Sequence, residues 1–279
     1  MDDEPDRDPD HEPGHTPDHG HYGADLFSPE QTGEGARIDH GALAYDAATR
    51  ARLTALGVGP GWRCLDVGAG TGTISRWLVD AAGVHEVLAV DRDPRFVGAR
   101  AGDRLRTMAA DITGPAPLPG RFDLVHCRFL LMHLRGHAEV LARLADLVAP
   151  GGWLVVGDAV DLTTAVSPHD AYRRTMAAMW RVLGERIGTD ITWVTRYPQL
   201  LRDLGLADVG AEIIVPPLTV DAPVTAFWQE TWRSMRDALE SGASLGPDEL
   251  DAALDYLSSP ELADLSPGMI TAWGRRPPG

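Results

Sequence analysis

A doubly wound α/β sheet is the fold class this sequence predicts, and three observations predict it. Short apolar segments alternate with stretches of helical period, and Gly, Pro or charge bounds each segment. The first segment runs straight into a turn rich in glycine, Gly68, Gly70 and Gly72. Strands buried on both faces read as continuous apolar runs, and the helices between them supply the crossovers that parallel pairing requires.

The elements follow in order. From Tyr22 to Leu56 the pattern is helical, with Ile38, Leu43, Tyr45, Leu53 and Leu56 set among polar positions. Strands are predicted over 62–67 (WRCLDV), 86–91 (EVLAVD), 104–109 (LRTMAA), 122–127 (FDLVHC) and 152–158 (GWLVVGD), with helices over 73–82, 94–101 and 133–148. After Asp158 the rhythm breaks. Residues 168–187 read as a helix with Tyr172, Met176, Met179, Trp180 and Leu183 on one face, and 195–204 as a shorter one. Strands over about 208–218 and 267–275 enclose helical material from 223 to 257.

One domain, 22–279, is expected, its core at 60–160 and a helical cap drawn from 22–57, 160–205 and 220–260. Residues 1–21 are rich in Asp, Glu, Pro, His and Gly and nearly devoid of apolar side chains, so they cannot offset the entropy of ordering. They are expected to form a disordered tail, with His11, His15, His19 and His21 solvated rather than gathered on a metal.

Composition narrows the function. Of 279 residues 44% are apolar and 24% charged, ordinary values for a globular chain. The net charge of −16 would repel a phosphate backbone, so a small molecule is the expected partner and nucleic acid is not. No run approaches the roughly 20 apolar residues of a membrane span. The opening MDDEPDRDPD is acidic where a secretory signal is basic and then apolar, which makes a cytoplasmic location the expectation. Cys64 and Cys127 alone do not make a disulfide framework.

The glycine turn, LDVGAGTGT over 65–73, brings backbone free of Cβ atoms to the carboxyl edge of the sheet, where open α/β sheets bind ligands. A dinucleotide fingerprint would place its third glycine at position 73, which is Thr73, and no GK[ST] follows for a nucleoside triphosphate. Asp66 beside the turn favours a cationic ligand over a pyrophosphate. Asp91 at the next strand end can accept from both hydroxyls of a ribose. Asp111 is placed to accept from an adenine amino group, with Ala110 and Ile112 beside it.

LDVGAGTG, VLAVDRDP, MAADI, FDLVHCRFLLMHL and LVAPGGWLVVGD, in that order over about residues 62 to 158, resemble the signature segments of class I (Rossmann-like) S-adenosylmethionine-dependent methyltransferases. The resemblance implies a seven-stranded, mostly parallel sheet whose last strand is antiparallel, and S-adenosylmethionine as cofactor with S-adenosylhomocysteine as product. It assigns Asp66, Gly68 and Gly70 to the methionine end, Asp91 to the ribose, and Asp111 and Ile112 to adenine, with Ala69, Thr71, Arg92 and Ala110 expected to border the cofactor as well. Cys127 and Arg128 fall where the family contacts the methionine moiety. Tyr22 and the residues after it resemble an opening element of small-molecule members that closes over the cofactor. Tyr22 and Arg37 would then reach the methionine carboxylate or the substrate, the alternative being a packed Tyr and a surface Arg.

Methyl transfer is an in-line displacement that asks mainly for alignment in a dry pocket, with a base only if the nucleophile carries a proton. His133 is the first candidate base, with Tyr22 and His126 behind it; the alternative is that each hydrogen-bonds locally. Enzymes of this family that methylate base amines carry Asn or Asp, Pro, Pro, aromatic after the fourth strand, and here the stretch is His126, Cys127, Arg128, Phe129. His126 also departs from the metal-dependent catechol pattern, so no metal is expected. Eight tryptophans suit an aromatic-lined pocket for a planar or cationic ligand. The absence of lysine suggests a high-GC bacterial coding sequence and a tailoring role in specialised metabolism. The expected function is therefore methyl transfer to an O, N or C atom of a small aromatic or heterocyclic metabolite by a monomer or homodimer. A protein of the same fold that catalyses another reaction, such as a cyclisation, or only senses the cofactor, stays open at this point.

Overall fold

The computed structural model describes residues 22–24, 26–98, 103–114, 118–242 and 245–279; the expected tail over 1–21 lies outside them. The first half builds the sheet: α1 (Glu34–Ala55), β1 (Arg63–Val67), α2 (Thr73–Asp80), β2 (Glu86–Asp91), α3 (Arg95–Gly98), β3 (Leu105–Ala109), β4 (Phe122–Arg128), α4 (His137–Asp146) and β5 (Val148–Val160). The second half is mostly helical: α5 (Asp170–Ile187), α6 (Tyr197–Asp203), β6 (Ala207–Ile214), β7 (Pro217–Leu218), α7 (Pro223–Ser234), α8 (Arg236–Gly242), α9 (Pro247–Ser258), β8 (Asp264–Leu265) and β9 (Gly268–Arg275).

Seven strands form one sheet in the order β3-β2-β1-β4-β5-β9-β6, while β7 and β8 pair separately. β9 lies between β5 and β6 and runs antiparallel to both, so the last strand is the antiparallel one, as expected. The chain leaves β1 toward β2 and β3, then returns to place β4 on the opposite side of β1. That reversal opens a crevice beyond the carboxyl ends of β1 and β4, the place where doubly wound sheets bind ligands.

Each strand divides its side chains between two cores, because successive residues face opposite sides. Leu65, Val67, Val125, Cys127, Leu154 and Val156 join one, under α4 and α6. Cys64, Val87, Ala89, Leu124 and Val155 join the other, with Leu53 of α1 and Ile74 and Leu78 of α2. A third cluster lies off the sheet and holds the cap together around Trp232, Tyr172, Met176, Met179 and Leu250.

Several boundaries differ from the sequence reading, each for a physical reason. The helix expected from Tyr22 begins only at Glu34, because Gly23 and Gly33 take positive φ, as does Phe27, and Pro29 intervenes. The segment before it is a strap of turns in which Tyr22 bridges Leu26 and the Gly23 N–H donates to the Leu26 carbonyl. The helix expected over 133–148 splits into a 3₁₀ turn, Leu131–His133, and α4. The expected 208–218 strand ends at Ile214 ahead of Pro216 and Pro217, since proline cannot donate to the ladder. The 223–257 stretch is three helices, two of which open on proline at the first turn, where its missing N–H is not needed.

Candidate functional site

The crevice beyond β1 and β4 opens into a cavity of about 440 Å³. One end is built from the glycine turn. Gly68 and Gly72 both hold left-handed φ, at 68° and 76°. A Cβ on Gly68 would come within 3.1 Å of Leu130, and one on Gly72 within 3.0 Å of Val97. Only a backbone without side chains can curve this tightly, and the turn is closed on itself and on β2, the Gly72 N–H donating to the Ala69 carbonyl and the Gly68 N–H to that of Val90, at 2.8 Å each.

The turn is fixed from the neighbouring strand. Asp91, at the end of β2, accepts the Gly70 N–H at 3.0 Å and the Asp93 N–H at 3.1 Å. Burial nevertheless raises its pKa, because those two amide bonds only partly offset the loss of water. Two carboxylate oxygens accept up to about four bonds, so capacity remains for a diol. Asp111, after β3, is exposed and accepts from the Thr113 N–H and hydroxyl at 2.8 and 2.7 Å, both through Oδ1. Partial burial works against its ionisation, but the Thr113 bonds overcome it and hold the carboxyl below its usual range. Ala110 and Ile112 line the cavity on either side. On the role that the resemblance implies for Asp111, its replacement with Ala should weaken adenosine-ligand binding by one neutral-donor bond, a few-fold to about ten-fold, read by calorimetry.

The opposite end is aromatic with a polar knot. Arg37, 4% exposed, grips Glu34 through Nε at 2.8 Å and Nη2 at 2.5 Å. It also donates to Tyr22 Oη at 2.6 Å and to Thr231 Oγ1 at 3.2 Å, and its guanidinium lies 4.1 Å from the Phe27 ring centroid. Burial works to neutralise Arg37, yet Tyr22 and Glu34 more than offset it and keep the cation. Burial raises the Tyr22 pKa, so its hydroxyl stays protonated. Phe227, Trp228, Trp180, Met179 and Leu183 close the chamber. Both indole N–H groups point elsewhere, Trp180 to Asp161 and Trp228 to Ser266 at 2.8 Å each, which leaves apolar ring surface to the cavity.

His133 sits between the two ends. Its ring centroid lies 4.9 Å from that of Tyr22, and its Nδ1 is 2.8 Å from Thr189 Oγ1. Burial and then the Arg37 charge push its pKa down to about 3, so the imidazole is neutral at any ordinary pH. Below the glycine turn, Asp66 lies 2.7 Å from His126 Nδ1 and accepts from Ser75 Oγ at 2.5 Å. Arg128, at the end of β4, donates to Asp46 at 2.7 Å and Thr49 at 2.9 Å, and Thr73 at the start of α2 shares the same Asp46 oxygen.

Of the residues singled out from sequence, Tyr22, Arg37, Asp66, Gly68, Ala69, Gly70, Thr71, Asp91, Arg92, Ala110, Asp111, Ile112, Arg128 and His133 all border this one cavity. Cys127 does not. Its side chain faces the α4 side of the sheet with Leu65 and Val67, while its neighbours His126 and Arg128 face the cavity, so the side-chain assignment shifts by one residue along the strand. Arg37 is no surface residue, and its charge is already met by Glu34. Glu34, Thr231, Phe27 and Ser75 were missed. Glu34 was legible as an acid three residues before Arg37 on one helix face. Thr231 comes from the far side of the chain and left no such signal. Asp158 is fully buried against Tyr197, away from the cavity. Among the described residues no group of three or more His, Cys, Asp or Glu could hold a metal ion, and no helix is long and apolar enough to cross a membrane.

Comparison with known proteins gives a consistent family. A family model described as a methyltransferase domain matches residues 36–209. The chain is 30% identical over 230 residues to methyltransferase str2 of Strobilurus tenacellus, covering 76% of this chain and 81% of that one. It is 28% identical over 166 residues to trans-aconitate 2-methyltransferase of Mycobacterium tuberculosis, covering 58% and 63%. Its fold is similar to that of Haemonchus contortus phosphoethanolamine N-methyltransferase 2 in complex with S-adenosyl-L-methionine, at a TM-score of 0.55 and 16% identity over 89% of this chain and 59% of that one.

Proposed function

The chain belongs to the S-adenosylmethionine-dependent methyltransferases, and from that premise we propose that it methylates an O, N or C atom of a small aromatic or heterocyclic metabolite in bacterial specialised metabolism. The observation that carries this reading is the single cavity running from the glycine turn into a chamber walled by Phe27, Trp180, Phe227 and Trp228. Aromatic rings presented by face and edge stack on planar ligands. Arg37 and Glu34, which line that chamber, form an ion pair that is internally neutral, which favours an uncharged ring system there.

S-adenosylmethionine, when bound, supplies an electrophilic methyl group on its sulfonium. The residues fit it: Gly68 to Thr71 leave room for the methionine end, Asp66 brings a negative charge for its ammonium, Asp91 has acceptors for the ribose diol, and Asp111 has one for the adenine amine. Arg128 stands at the methionine end with Cys127 behind it in the core. Tyr22, tied to Arg37 by its hydroxyl and to Arg92 by its carbonyl, shields the junction of the two halves from water.

Tyr22 and His133 act here as orienting groups. A general base works best with a pKa near the operating pH, and His133 lies far below it. Its neutral ring can accept a hydrogen bond from a substrate O–H or N–H and fix the nucleophile, while Thr189 holds the other nitrogen. The nucleophile is then one that enters with an available lone pair.

A panel of planar phenols, aryl acids and heterocyclic amines, offered with labelled cofactor beside polar aliphatic acids such as trans-aconitate, tests the reading. S-adenosylhomocysteine and a methylated planar product are expected. Preferential turnover of the aliphatic acids would overturn the aromatic assignment.

A further inference from the structure

His126 is not among the groups that the cofactor reading uses, although it borders the cavity and is only 3% exposed. It stands directly across from Asp66 in the β1–β4 register, at the chain reversal that creates the crevice. Both side chains face the α2 side of the sheet, and Ser75 of α2 completes the cluster. Asp66, also 3% exposed, is thus held on each oxygen by a different element: Oδ2 by the Ser75 hydroxyl and Oδ1 by the His126 ring.

A buried carboxylate keeps its charge only when its oxygens are met by donors. Ser75 alone leaves Oδ1 without one, and a carboxylate bonded at one oxygen can rotate. With His126 in place, the imidazole closes the second oxygen from a rigid strand. The carboxylate at the foot of the glycine turn is therefore fixed in direction.

The geometry points to His126 as a positioning residue for the cofactor, one that holds the Asp66 carboxylate oriented toward the α-ammonium of the methionine end. This rests on the reading of Asp66 as that ammonium's counter-charge, and the test separates the two. Asn is the conservative replacement, since its amide nitrogen can occupy much the same place as Nδ1. Phe and Leu retain bulk and lose the donor.

Calorimetric titration of the full chain with two ligands reads the effect: S-adenosylhomocysteine, which has the ammonium, and methylthioadenosine, which lacks the amino-acid end. H126F and H126L should weaken S-adenosylhomocysteine about 10- to 100-fold, the loss of a bond to a charged group. They should leave methylthioadenosine within about two-fold, which also reports that the variant is folded. H126N should recover most of the lost affinity. Equal weakening of both ligands by H126F and H126L, or H126N behaving like H126F, would overturn the proposal. Asp66→Asn is the control for the underlying reading: if it leaves S-adenosylhomocysteine binding intact, the counter-charge role of Asp66 fails. If Asp66→Asn weakens binding and H126F and H126L do not, His126 alone is dismissed.

Discussion

Replacing Trp232 with Ala is expected to destabilise the chain by about 3–5 kcal/mol, among the largest effects a single truncation produces. Trp232 is fully buried at the centre of the cap cluster, with the Tyr172 ring 6.1 Å away and Met176, Met179 and Leu250 in the same cluster. Its indole nitrogen has no hydrogen-bond partner, so the residue contributes through apolar area and shape alone. Trp232→Phe should then lose little, under about 1.5 kcal/mol, because the smaller ring leaves a gap but removes an unsatisfied donor. Urea denaturation followed by tryptophan fluorescence gives both numbers. Because Thr231 and Trp228 share α7 with Trp232, the Ala variant should also lose acceptor turnover while methylthioadenosine, which binds at the sheet edge, holds. A loss below about 1 kcal/mol would mean that the cap core collapses around the vacancy at little cost.

The second large effect is a pH dependence centred on Asp158. Its carboxyl is fully buried, and burial raises its pKa to about 7 against a partly offsetting bond from the Tyr197 hydroxyl. The folded chain therefore binds a proton that the unfolded chain releases near pH 4. Stability is fully present below that pH and drains away as pH rises toward about 7, by about 4 kcal/mol in all. His133 works in the opposite sense. Its folded pKa of about 3 lies below the unfolded value of 6.5, so its contribution is present above 6.5 and lost as pH falls. Between about pH 4 and 6.5 the two slopes nearly cancel, so the native chain has a plateau there and an alkaline limb confined to about pH 6.5 to 7. Asp158→Asn should remove the alkaline limb and uncover the His133 contribution as a rise in melting temperature from pH 4 to about 6.5, in a series taken from pH 4 to 9. An unchanged alkaline limb in that variant would place the titration on another group.

How much of this was readable beforehand depends on how far apart in the chain the interacting groups lie. The five sheet segments were legible because a strand buried on both faces must be apolar throughout, and the glycine turn because its residues act on their own backbone. Asp66, Asp91 and Asp111 each lie within two residues of the carboxyl end of a strand, so local position was enough to bring them to one crevice. The same uniform apolarity hid the face that each residue of FDLVHCR takes, which is why Cys127 was drawn in and His126 left out as a cofactor residue. The cap was the least legible part. Arg37 with Thr231, Tyr45 with the Pro267 carbonyl and Trp228 with Ser266 are pairings set by the fold, and no periodicity announces them. The strap before α1 was misread as helix because two apolar residues, Leu26 and Phe27, continue the pattern while the glycines around them break it.

The position of β9 bears on the order in which the molecule can assemble during synthesis. β6 pairs with β9 alone among the described strands, and β5 meets β9 along its other side. While a ribosome is still translating α7 to α9, β6 has been made but β9, the strand it pairs with in the folded chain, has not. Strand edges left unpaired recruit other chains. The nascent polypeptide thus carries an open sheet margin for some 50 residues of elongation, and it is the insertion of Gly268–Arg275 that seals it.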